Sequence, residues 1–72
     1  MKSYYVYRKN GVLEFSAQNR KELIEKTIGI VKSYKHPENI ANLICHYSIE
    51  RNCNHHPVRI LRELGYTVES VE

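Results

Sequence analysis

The chain has 72 residues, 42% of them apolar and 26% charged, which leaves room for one small domain spanning 1–72 and makes a disordered tail an unsuitable description. Eleven Lys and Arg against eight Asp and Glu give a net charge of +3 and a pI near 9.0, enough to permit a polyanionic partner without requiring one. No apolar run approaches the roughly 20 residues of a membrane-spanning helix, the opening MKSYYVYRKNG lacks the apolar stretch of a secretory signal, and two cysteines are too few for a disulfide framework. The expectation is a cytoplasmic protein with no membrane contact.

YYVYRKNGVLEF is two β-rich runs around Asn10-Gly11, a pair suited to the positive φ angles of a type I′ turn. A two-residue loop pairs Lys9 with Val12, Arg8 with Leu13, Tyr7 with Glu14, Val6 with Phe15, Tyr5 with Ser16 and Tyr4 with Ala17. Alternation along the strands then puts Tyr4, Val6, Leu13, Phe15 and Ala17 toward the core, and Tyr5, Tyr7, Lys9, Glu14 and Ser16 on the other face.

Asn19, followed three residues on by Glu22, reads as a capping box opening a helix over about 20–35, with Leu23, Ile24, Thr27, Ile28, Val31 and Tyr34 at helical spacing. Gly29 inside it suggests close packing against a neighbour. Pro37 begins a second helix, expected to end near Arg51, with Ile40, Leu43, Ile44 and Tyr47 on one face. Pro57 begins a third, carrying Val58, Leu61 and Leu64 inward and stopping at Gly65. Residues 66–71 finish as a strand. The order β-β-α-α-α-β predicts a small α+β protein, a three-stranded sheet with an N-terminal hairpin and helices packed on one face.

Both cysteines and three of the four histidines fall in CHYSIERNCNHHP, residues 45–57. The seven residues between Cys45 and Cys53 do not match the usual spacing of zinc ligands. The simpler reading makes Cys45 a small apolar group at the edge of the second helix and places Cys53 to His56 in the loop after it. Cys45, Cys53, His55 and His56 are therefore not assigned as metal ligands, and no cofactor is expected. Cys53 is the better-placed nucleophile, with Arg51, His55 and His56 around it, but no catalytic motif accompanies it, so an enzyme is not expected.

Two surfaces remain. Tyr5 and Tyr7, with Glu14 and Lys9 beside them, form an uncovered aromatic sheet face; the acidic neighbour favours a protein partner over stacked bases. Arg51, His55, Arg59 and Arg62 form a basic stripe that could grip phosphates. The leading expectation is a non-enzymatic intracellular binding protein, monomeric or homodimeric. It docks on a larger protein and modulates or inhibits it, as accessory proteins of phages and mobile elements do. The alternative is a nucleic-acid-binding regulator working through the basic stripe.

Overall fold

The computed structural model describes residues 2–44 and 49–72. In chain order these form β1 (Ser3–Tyr7), β2 (Leu13–Ala17), α1 (Arg20–Ser33), α2 (Glu38–Ile44), α3 (Ile49–His55), α4 (Pro57–Glu63) and β3 (Thr67–Val71). The strand order is β2-β1-β3, antiparallel throughout. Helices pack on the face carrying Tyr4, Val6, Ala17 and Val68, against which Leu23 of α1 and Leu61 of α4 are buried. The α+β arrangement holds, with four helices among the described residues in place of three.

The hairpin forms, but not with the expected turn. A type I′ turn requires positive φ at Asn10, and no described non-glycine residue adopts it. Asn10 instead accepts the Val12 N–H on its side-chain oxygen at 3.0 Å, a local bond that Asn readily makes in turns. Within the turn only Gly11 takes the left-handed conformation, with φ +84, and its N–H donates to the Arg8 carbonyl at 2.9 Å. The loop is thus three residues long, Arg8 bonds Val12, and Tyr7 stands opposite Leu13 rather than Glu14.

Left uncorrected, that slip would carry Phe15 and Ala17 to the wrong face. A bulge prevents it. The register shifts between Tyr7 and Val6, making Glu14 an extra residue and restoring the pairs Val6–Phe15, Tyr5–Ser16 and Tyr4–Ala17. Leu13 consequently leaves the core face and is 49% exposed. Glu14 leaves Tyr7 and forms an ion pair with Arg8. Lys9 leaves the tyrosine face too: its side chain runs along Gly65, 3.3 Å from where a Cβ there would stand.

α1 begins as its cap predicts. The Asn19 side chain accepts the Glu22 N–H at 2.8 Å, satisfying one of the orphan donors at the helix start. Lys26 fastens the helix to the sheet, donating to the Ser16 carbonyl at 2.6 Å, pairing with Glu22 at 3.1 Å and lying 5.6 Å from the centre of the Phe15 ring. The helix ends two residues early, at Ser33, and extended backbone at Tyr34 delivers that ring edge-on to Tyr66. Gly29 packs against nothing: it is exposed, and a Cβ there would meet no atom within 4 Å.

Of the helix expected from Pro37 to Arg51, residues 38–44 form α2 and residues 49–51 belong to α3, while Tyr47, assigned to its inner face, lies outside the described residues. α3 also continues through Cys53 to His55, where a loop was expected. Burial explains the extension, because Asn52 and Cys53 face inward. Pro57 explains its end, since the residue before a proline is disfavoured in helical conformation, and His56 accordingly adopts φ −136 and ψ 47. α4 starts at Pro57 and closes at Gly65, φ +99. There the Gly65 N–H donates to the Arg62 carbonyl and the Tyr66 N–H to the Leu61 carbonyl, both at 3.0 Å, the paired bonds of a Schellman stop.

The core has two parts. Tyr4, Val6, Ala17, Leu23, Leu61, Tyr66 and Val68 fill the space between sheet and helices. Val31, Ile40, Ile44, Cys53 and Ile60 fill the space among the helices, and Leu64 packs against both groups. Each fully buried aliphatic side chain contributes about 1.5–3 kcal/mol, so the helical layer is held by packing more than by its short helices' own propensity.

Candidate functional site

The strand order decides what surrounds the tyrosines. β1 lies in the middle, so its outward residues are flanked on both sides: Tyr5 by Ser16 and Glu69, Tyr7 by Leu13 and Thr67, and Ser3 by Val71 on β3. Tyr5 is 36% exposed and Val71 50%, while Tyr7 is half-buried. With Leu13 they form an aromatic and aliphatic patch, interleaved with Ser3, Ser16, Thr67 and Glu69, on the side of the sheet away from the helices. Glu69 is its one described carboxylate, and it makes no ion pair among the described residues. Of the four residues assigned to this face from sequence, Tyr5 and Tyr7 are there, and Lys9 and Glu14 are not.

On the helical side, Arg20, His55, His56, Arg59 and Arg62 line an open depression of about 510 Å³ with Pro57, Val58 and Glu63. Three segments converge: the start of α1, the end of α3 and the whole of α4. Arg20 is positioned by donating to the Asn54 carbonyl at 3.0 Å. Arg59 and Glu63 stand four apart on α4, the spacing at which helical ion pairs form. Glu63 instead accepts a hydrogen bond from the Asn39 side chain of α2 while still lining the depression. Arg59 and Arg62 are exposed, with no ion pair among the described residues. Arg51 is exposed but does not line the depression.

Cys53 is fully buried in the helical core. Burial, and secondarily the Glu50 carboxylate, push its thiol up to about 11, so at neutral pH it holds its proton and is a poor nucleophile. His55 and His56 are exposed, with ring centres 6.1 Å apart. The buried thiol and the exposed imidazoles do not converge, and no described group of three His, Cys, Asp or Glu could hold a metal ion. Cys45 and His46 lie outside the described residues.

The sequence reading missed two residues of these surfaces. Glu69 joins the tyrosines only because β3 pairs with β1, and Arg20 joins the stripe only because α1 meets the end of α3. Neither position carries a local signal. Comparison of the chain with protein families, curated proteins and solved structures found no match.

Proposed function

We propose that this protein acts by binding: it docks through the open face of its sheet onto a larger protein and modulates it. The observation that carries this reading is the uncovered surface of Tyr5, Tyr7, Leu13 and Val71 around the unpaired Glu69. Tyrosines at the centre of an interface can each contribute about 2 kcal/mol or more. Glu69 bears on the kind of partner. A second copy packed face to face would bring two such carboxylates onto an apolar surface with no cation to meet them, and an unpaired buried charge is costly. A different protein presenting an apolar patch around one Lys or Arg fits the same surface with its charge satisfied.

The test compares the wild type with Tyr5→Ser/Leu13→Ser and with Glu69→Lys. All three serve as baits in nuclease-treated extract of the organism that encodes the chain, with sedimentation of each purified protein in parallel. The expected result is one protein retained by the wild type and lost from both variants, all three baits being folded monomers. One tyrosine hot spot at about 2 kcal/mol corresponds to roughly a 30-fold loss of affinity, and the loss of Leu13 packing adds to it. Self-association that Tyr5→Ser/Leu13→Ser abolishes would refute the reading, as would equal retention by all three baits.

A further inference from the structure

We infer that the depression between α1, α3 and α4 is a second binding site, which takes the phosphates and bases of a single-stranded nucleic acid. It lies on the helical side, away from the tyrosine face, and its chemistry is of the opposite sign. Arg20, Arg59 and Arg62 supply three guanidinium groups against the single Glu63 carboxylate. A guanidinium presents a planar fork of donors that matches phosphate oxygens. Internal partners do not occupy this charge. Arg20 gives one nitrogen to a backbone carbonyl, which aims the group without neutralising it. Arg59 loses its natural helix neighbour to Asn39. Three guanidinium groups thus outnumber the one carboxylate among the described lining residues, and that carboxylate accepts a neutral amide rather than a guanidinium.

The imidazoles favour a single strand over other phosphate carriers. His55 and His56 are exposed on the same wall, with rings tilted 48° to each other. Histidine rings and guanidinium planes stack on unpaired bases, and single-strand sites combine such stacking with a basic track for the backbone. A depression open to solvent suits a chain passing through it better than a small molecule that must be enclosed. The sheet face is a poor competitor for this ligand, because Glu69 repels phosphate beside Tyr5.

The test is fluorescence anisotropy with a labelled oligothymidylate of about 12 nucleotides, within the usual span of a small single-strand module. A duplex of the same length and anionic phospholipid vesicles are measured alongside. Three neutralised phosphates give a salt slope of about −2 for a single strand, so the wild type should lose about 20-fold in affinity between roughly 50 and 200 mM salt. In Arg59→Gln/Arg62→Gln the slope should fall to about −1 or shallower. Lys35→Gln, outside the depression, should match the wild type, and so should Tyr5→Ser/Leu13→Ser, which separates this site from the protein-docking face. Circular dichroism checks each fold, and Arg59→Gln alone replaces the double variant if that one unfolds. Binding with equal strength to the duplex, binding to vesicles alone, no oligonucleotide binding at the lower salt, or an unchanged slope in the arginine variant would each overturn the inference.

Discussion

Gly29→Ala should stabilise this protein, and the structure says by how much. Gly29 lies in the interior of α1, on an exposed stretch without positive φ, and the added Cβ would meet nothing within 4 Å. No steric term opposes the change, so only helix propensity remains, about 0.8–1 kcal/mol in favour of Ala. Part of that gain acts through the unfolded chain, which loses conformational freedom. For a chain of this size such a change raises Tm by about 4–8 °C, and with m near 1 kcal/mol/M it moves the urea midpoint by almost ~1 M. Urea titration followed by far-UV circular dichroism measures it, with m expected to stay constant. Gly65→Ala supplies the contrast. Gly65 sits at φ +99, where a Cβ costs about 1–2 kcal/mol; the Lys9 carbons above it are the end of a flexible side chain and can move aside. If both substitutions shift the midpoint in the same direction, or Gly29→Ala lowers it, the account of α1 is wrong.

The buried Cys53 thiol, pushed up to about 11, should be about a thousandth ionised at pH ~8; iodoacetamide should therefore leave the Cys53 peptide unmodified until urea is added, and rapid native labelling would contradict its burial. Because the folded state holds that proton more tightly than the unfolded chain, where the thiol titrates near 9.0, stability should fall as pH rises from about 9 toward about 11. Cys53→Ala should flatten that part of the pH profile. Tyr34→Phe removes the hydroxyl that shares a hydrogen bond with buried Tyr66 and should cost about 1 kcal/mol; no change in the urea midpoint would mean that the Tyr66 hydroxyl finds another partner.

Elements whose causes lie within a few residues were legible from sequence. The Asn19 cap, the proline that opens α4 and the Gly65 stop each act over one helical turn, and all three form. The turn at Asn10-Gly11 was legible as a turn but not in type, because Asn10 can either adopt positive φ or bond Val12 through its side chain, and both choices are local. The extent of α3 was not legible: its polar run Glu50-Arg51-Asn52 hides an inward side that only the packing of Asn52 and Cys53 reveals. The candidate surfaces divide in the same way. His55, Arg59 and Arg62 share a side by helical periodicity. Arg20 and Glu69 enter through contacts made 34 residues away in the first case and through the pairing of chain-distant strands in the second.

The bulge at Glu14 decides which side chain the hairpin displays beside Tyr7. With the three-residue loop, Leu13 is shown beside Tyr7 and Glu14 is drawn aside to Arg8. With a two-residue type I′ loop the bulge would be unnecessary, and the pairs from Val6–Phe15 onward would be unchanged. Glu14 would then take the place opposite Tyr7, and Leu13 would return to the inner face. The sheet beneath is the same in both cases; only the side chain offered to a visitor differs, an apolar one or an acid. A substitution such as Asn10→Gly, which removes the Asn10 side-chain bond and eases positive φ, would tilt that choice from the tip of the hairpin. The character of this sheet face could therefore be retuned by mutation at a residue that does not belong to it.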